Sequence, residues 1–377
     1  MEPAEHRSER LSALDVFRGA TIAGMLVVNT PGSWDRVYTS LLHAPWNGWT
    51  YTDTIFPFFL FIVGVSMAFS FSRRLAEGGS RRNLFLHTLW RASVIFLLGL
   101  GLNFLSSLLF HREHVRVPGV LQRIGLCFLF SALVYLLFGR RGVLPAAAVL
   151  LAGYWALMTL VPVPGYGKDR LDAEGNLAAY VDRTILGPHT WKRDPGWDPE
   201  GLLSTLPAVA TTLLGVFAGE LLRPGRALEK KIRELIGAGW LAAVAGLAWS
   251  AVFPINKNLW TSSYALFMSG LAAASLAVCI YLVDVKGWKT WAVPFLWLGR
   301  NAIALFVGSV LATLLLLAVR LPGPDGKSHS LYRTIYSTVF DHFADARLGS
   351  LLFALAFCAT WIGIAGLLYR KRIFIKV

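Results

Sequence analysis

Apolar residues run along this chain in stretches of about twenty, and the polar residues gather in the short segments between them. Residues 84–110 and 261–283 are the clearest stretches, each longer than 18 positions with no more than one formal charge. At about 1.5 Å per residue, such a run crosses a hydrocarbon core of roughly 30 Å. The pattern predicts about ten helical spans, at 13–30, 53–71, 84–107, 118–138, 142–161, 202–222, 235–253, 261–283, 293–319 and 348–369. Several starts carry capping chemistry. Ser12 with Asp15 and Thr50 with Asp53 fit a capping box, Pro118 suits a first turn, and Asp198-Pro199 reads as a cap followed by proline. The expected fold is an all-α polytopic membrane helix bundle, one domain over 1–377 with no fixed-period repeat.

Composition closes the soluble alternative. The 377 residues are 55% hydrophobic and 15% charged, with a mean hydropathy of +0.54, and a soluble surface needs more charge than that. The formal charge of +14 invites a nucleic-acid reading. Its location speaks against one, because the cations sit in short loops, where Lys and Arg orient a membrane protein. SRRLAEGGSRRN, GRRG, RPGRALEKKIRE and YRKRIFIK fall on one side, which places both termini in the cytoplasm and His43 outside. The opposite loops are longer and richer in Gly, Pro, Trp and Asp. The largest, 162–201, has room for a lid or an acceptor-binding surface. Cys127, Cys279 and Cys358 all lie in apolar spans, so no disulfide framework is expected. The start, MEPAEHRSERLSALD, has no cleavage site and is expected to stay in the mature protein. Short termini suit a bacterial inner membrane.

An ionisable side chain inside a span is unfavourable unless it faces a protein interior or an aqueous cavity. Arg18, Arg91, Arg123 and Arg300 qualify. Arg18, Arg91 and Arg300 are expected within about two turns of the cytoplasmic face, and Arg123 in the outer half. Guanidinium pairs bidentately with phosphate, so the three inner cations suit a polyanion entering from the cytoplasm. The competing reading is snorkelling to lipid phosphate, or, preferred for Arg18, an ion pair with Asp15 one turn away. On the other side, Asn29 ends the first span, His43 lies in the first outer loop and Asp53 opens the second span. The stretch HAPWNGWTYTD sets an imidazole, two Trp, an Asn and an Asp around a Gly turn. A histidine there can be a general base or a nucleophile that carries an acyl group, with a carboxylate to orient its ring. The plainer reading makes Trp46 and Trp49 interfacial residues and Asp53 a helix cap. His111 and His114, in HREH, lack further ligands, so no metal is expected.

Seven blocks in order along nearly the whole chain carry a resemblance. RLSALDVFRGATIAGMLVVNTPG and HAPWNGWTYTDTIFPFFLFIVGVS are followed by RVPGVLQRIGLCF, WDPEGLLSTLPAVATTLLGVFAGELL, PINKNLWTSSY, LGRNAIALFVG and YRKRIFIKV. Together they resemble the heparan-α-glucosaminide N-acetyltransferase family and its bacterial relatives. The resemblance implies transfer of an acetyl group from cytosolic acetyl-CoA to an amino sugar across the membrane. It implies that His43 is the active histidine and Asn29 an accompanying active-site asparagine, with Asp53 on a matching position. Arg91, Arg300, Arg18 and Arg123 are then the expected contacts of acetyl-CoA. Asn256, Lys257, Asn258 and Trp260 of the NKNLW loop, Asp198 and Glu200 of the DPEG segment, and Trp46 are expected on the acceptor side. Relative to the lysosomal enzyme the chain is expected to lack a sizeable luminal region and the helix before it, which leaves the acceptor open between a glucosamine-like amine and a sugar hydroxyl.

A transporter or flippase for a small anion or a lipid-linked sugar accounts for the buried arginines equally well. It gives His43 no particular task, and paired halves of the kind common in transporters are not visible. The expected partners are acetyl-CoA, an amino-sugar or glycan acceptor and the lipid bilayer. Gly99 and Gly101 would allow close helix approach within the chain or in a homodimer.

Overall fold

The computed structural model describes residues 11–192, 196–223, 227–322 and 326–375. Residues 1–10 of the expected retained start lie outside these, as do 193–195 of the long loop, 224–226 of RPGRALEKKIRE and 376–377 of the basic tail. The described chain is mostly helical: α1 (Ser12–Asn29), α2 (Thr52–Ala76), α3 (Arg81–Leu109), α4 (Val120–Leu160), α5 (Leu177–Leu186), α6 (Thr205–Leu221), α7 (Leu228–Trp249), α8 (Ser262–Ile280), α9 (Val293–Arg300), α10 (Ala302–Ala318), α11 (Leu331–Ile335) and α12 (Ala346–Arg370). A short antiparallel pair, β1 (Arg320–Pro322) and β2 (Ser328–Ser330), joins α10 to α11.

Every predicted span falls on a helix. Among the described residues, six helices are long and apolar enough to cross a membrane, or seven when the bent pair α9–α10 is taken as one span. Two predicted spans share α4, whose 41 residues would reach about 60 Å, twice a bilayer core. Gly139 breaks that helix between them, at φ 63° and ψ −168°, a conformation open to glycine alone without strain. The span at 293–319 bends by 86°. At the bend, Asn301 donates from Nδ2 to the Ile373 carbonyl (3.1 Å) and accepts from the Ile375 N–H (2.9 Å), which ties the C-terminal tail there.

Two predicted caps come out differently. The N-cap of α1 is Leu11, and Asp15 instead pairs with Arg18 at 3.0 Å and Arg300 at 3.4 Å. Nor does Asp198 start α6, which begins at Thr205. Its carboxylate is taken by the Trp191 and Glu200 N–H groups and by Arg116.

Apolar surface does not by itself favour a neighbouring helix over lipid, so close packing at small residues holds such a bundle together. At the α2–α6 crossing, a Cβ on Gly64 would run into the Thr212 carbonyl, and one on Gly215 into the Phe61 carbonyl. Gly99 packs on Gln122 of α4 within the chain, whereas Gly101 faces open space. Because backbone cannot yield as a side chain does, Gly64→Val or Gly215→Val is expected to cost about 1–3 kcal/mol or more. The unfolding midpoint in detergent should fall accordingly, and Gly101→Ala, in an unobstructed helix interior, should not lower it.

Candidate active site

The first outer loop folds around one carboxylate. Asp53 stands in the first turn of α2 and is 1% exposed. Its Oδ1 lies 2.6 Å from His43 Nδ1, and its Oδ2 accepts from the Ala44 N–H (3.0 Å), the Thr50 N–H (3.0 Å) and the Thr50 hydroxyl (3.2 Å). The acid half of the predicted capping box is therefore present. The single Thr50 hydroxyl proton is shared between Asp53 Oδ2 and the Leu42 carbonyl, which lies closer at 2.5 Å. From the other side, the Tyr264 hydroxyl of α8 donates to the Asp53 carbonyl at 2.6 Å. An ionised carboxylate only accepts, so Nδ1 carries the proton and Nε2 presents a lone pair. The His43 side chain is half exposed.

That lone pair faces a lysine. Lys257 Nζ lies 3.4 Å from His43 Nε2. The NKNLW turn is fastened to the first outer loop by the Gly48 N–H donating to the Ile255 carbonyl (2.7 Å) and by Asn256 Nδ2 donating to Asn47 Oδ1 (3.1 Å). Asn256 Oδ1 also accepts from the Leu259 N–H at 2.9 Å, which closes the turn over which Lys257 projects. Burial pulls the Lys257 ammonium below the ordinary lysine range, assisted by Arg116 and Arg123 and opposed by Glu200 and Asp53.

Beneath this pair lies an ion network that sequence reasoning did not single out. Arg116 Nε donates to Asp198 Oδ2 at 2.7 Å, and its Nη2 reaches both Asp198 and Glu200. Burial opposes the Arg116 charge, but the two carboxylates outweigh it and hold the guanidinium charged. Burial alone would push the Glu200 carboxyl up; Arg116, Lys257 and Arg123 prevail and hold it down. Asp182 of α5 accepts from the Leu202 N–H (2.9 Å) and the Asp198 N–H (3.3 Å), and burial pushes its carboxyl up to about 6. The signal for Arg116 was an arginine in the otherwise cation-poor outer set, in the RVPGV block, opposite the acidic DPEG segment.

The other predicted residues divide by place. Arg123 is 1% exposed, donates to the Pro199 and Gly201 carbonyls and the Ser204 hydroxyl, and lies over the Trp260 ring at 5.3 Å. It holds the DPEG segment on α4 and stands apart from the other three arginines. Trp260 is fully buried, bonded to the Thr211 hydroxyl and packed edge-on against Phe56 and Tyr264, so it presents no face to an acceptor. Trp46 is half-buried, its indole N–H on the Leu171 carbonyl (2.8 Å) and its ring against Trp197, which pins the long loop over the site. Asn258 is half-buried in the NKNLW turn. Asn29 is exposed at the end of α1. Tyr51 and Ile55, which flank Asp53, pack on that helix at Gly24, so Asn29 shares the His43 end. Both His43 ring nitrogens are engaged by Asp53 and Lys257, and Asn29 does not bond to the imidazole.

Arg18 and Arg300 meet around Asp15. Arg18 also donates to the Gly299 carbonyl (3.2 Å) and the Ser66 hydroxyl (2.8 Å), and Arg300 lies over the Tyr369 and Phe374 rings. Arg91 lies over Phe128 at 5.4 Å, with Arg18 and Arg74 in electrostatic reach. Ser66 is 13 residues beyond Asp53 on α2, so this cluster is about 20 Å along the helix from the histidine.

Residues 10–252 match the family described as "Heparan-alpha-glucosaminide N-acetyltransferase, catalytic". The chain is 31% identical over 425 residues to the heparan-alpha-glucosaminide N-acetyltransferase of Homo sapiens, covering 98% of this chain and 60% of that one. Against the Mus musculus protein of the same name it is 29% identical over 436 residues, covering 100% and 62%. The chain thus spans less than two thirds of the length of these relatives. The family match holds Asn29, His43, Asp53, Arg116, Asp198 and Glu200, and ends just before the NKNLW turn.

Arg116→Met would leave two carboxylates buried without their cation, at an expected cost of about 3–5 kcal/mol, read as a lower unfolding midpoint at neutral pH. Arg116 holds Glu200 below the ordinary glutamate range, so its contribution is present above that range and is lost as pH falls through the depressed value. The gap between wild type and variant should therefore narrow in acid.

Proposed function

Since the chain belongs to the heparan-alpha-glucosaminide N-acetyltransferase family, we propose that this integral membrane protein transfers an acetyl group from acetyl-CoA to a glucosamine-like amine or a sugar hydroxyl. The observation that carries the reading is the Asp53–His43 pair, 2.6 Å between Oδ1 and Nδ1 with Nε2 directed away from the carboxylate. A neutral imidazole fixed in that tautomer is built to take a proton, or an acyl group, at Nε2. In direct transfer the acceptor nitrogen attacks the acetyl carbonyl carbon, the C–N bond forms as the C–S bond breaks, and the amine proton goes to Nε2. In a two-step route Nε2 itself accepts the acetyl group first. In either route the buried Asp53 carboxylate stabilises the positive ring. Asn29, at the same end of the bundle, would donate to the developing oxyanion.

The arginine cluster fits the nucleotide end of the donor. Its guanidinium geometry suits phosphate. The separation of about 20 Å along α2 lets an extended carrier keep its phosphates at Arg18, Arg91 and Arg300 while its thioester reaches His43. Arg123 would act on the donor only indirectly, by holding the DPEG segment. The basic loops put the arginine end in the cytoplasm and His43 outside, in the periplasm of a bacterial cell. Docked by Trp46, the long loop would cover the acceptor, with Asn258 and Lys257 beside it.

Release of CoA from acetyl-CoA by the detergent-purified protein, with and without glucosamine, tests this. Glucosamine-dependent release is expected in the wild type. His43→Ala should abolish it, and Asp53→Asn should lower kcat by about a hundredfold or more. Amine-dependent release that persists in His43→Ala would overturn the assignment. Flux of an anion across liposomes without acyl chemistry would move the protein to the transporters.

A further inference from the structure

The nitrogen that must receive a proton during transfer, His43 Nε2, has a primary amine 3.4 Å away. A lysine in that position is unusual, since an ammonium donating to Nε2 competes for the lone pair the reaction needs. The structure spends many contacts on placing it. Gly48 and Asn47 clamp the NKNLW turn to the histidine loop, and Asn256 closes the turn. The charged groups around Lys257 come from every neighbouring element: His43 of the first outer loop, Asp53 of α2, Arg116 ahead of α4, Arg123 of α4 and Glu200 ahead of α6.

We propose that Lys257 is the proton donor to the leaving thiolate and that His43 recharges it. As the acceptor nitrogen bonds to the acetyl carbon and the C–S bond breaks, the amine proton passes to His43 Nε2 and one Nζ proton passes to sulfur. The neutral Nζ then takes the Nε2 proton across the short gap between them. Each turnover thus moves one proton from acceptor to CoA and returns both residues to their starting charge. This deepens the acyltransferase reading and rests on it.

The surroundings suit the task. An ordinary lysine, with a pKa of about 10.4, is a poor acid for a thiolate whose conjugate acid lies near 8.5; burial makes Lys257 more acidic than that. Glu200 keeps the proton in place at rest, and Arg116 in turn neutralises Glu200, so the lysine is neither locked charged nor stripped of its proton.

The test is the pH profile of kcat for acetyl-CoA and glucosamine in wild type, Lys257→Arg and Lys257→Met, with the KM for acetyl-CoA and the unfolding midpoint of each. Arginine keeps the positive charge beside Glu200 but does not give up its proton. Both variants are expected to lose kcat by about a hundredfold or more with KM for acetyl-CoA retained. Both should also lack the alkaline limb expected of the wild type. Wild-type kcat in Lys257→Arg, or an alkaline limb that persists in it, would overturn the proposal and leave Lys257 a positioning charge. Should Lys257→Met fail to fold, Lys257→Arg carries the test alone. A wild type that releases no CoA with glucosamine overturns the acyltransferase reading itself, and the proposal with it.

Discussion

A carboxylate sealed from water must find donors within the protein, and Asp53 finds four of them in the ten residues that precede it. The loop from His43 to Thr50 forms no helix or strand, so this demand does much of the shaping. It draws the Ala44 and Thr50 N–H groups inward, and the histidine ring comes with them. Placement at the start of α2 adds the favourable end of the helix dipole to the same charge. The anchor then propagates outward. Gly48 and Asn47 hold the NKNLW turn, which aims Lys257 at Nε2, and Glu200 and Arg116 balance the lysine from behind. Loss of the Asp53 charge would release the loop, the tautomer and the lysine together.

Hydropathy made the bundle legible. Each predicted span carries a helix, and even the division of α4 was readable, because GRRG interrupts the apolar run at the glycine that breaks the helix. Periodicity could not show that the α9–α10 span bends, because the cause lies in Asn301 and the C-terminal tail, more than seventy residues apart. Short-range capping rules failed at Ser12–Asp15 and Asp198-Pro199 for a related reason. Ion pairs with Arg18 and Arg300 take the Asp15 carboxylate, and Asp198 is shared between Arg116 and loop N–H groups that lie ahead of α6.

The site was legible in the same uneven way. His43 and Asp53 are ten positions apart on one loop, and local spacing found them. Lys257 was noticed but placed with the acceptor, since nothing in the order of residues says that it meets a histidine more than two hundred positions earlier. Trp260 looked like a surface ring and is a core one, shielded by Arg123, Phe56 and Tyr264. Arg116 escaped attention because its partners lie some eighty residues further along the chain, beyond α4 and α5. The arginines at the far end were recognised by charge alone, and the contact of Arg18 with Ser66 supplies the distance to His43.

The central claim is that Asp53 fixes His43 with its proton on Nδ1 and its lone pair on Nε2. Nitrogen NMR of protein labelled in its eight histidines, with His43 assigned by His43→Gln, reads that tautomer directly. The account predicts a neutral His43 protonated at Nδ1, with the preference lost in Asp53→Asn. A neutral ring protonated at Nε2, or one indifferent to Asp53→Asn, would contradict it.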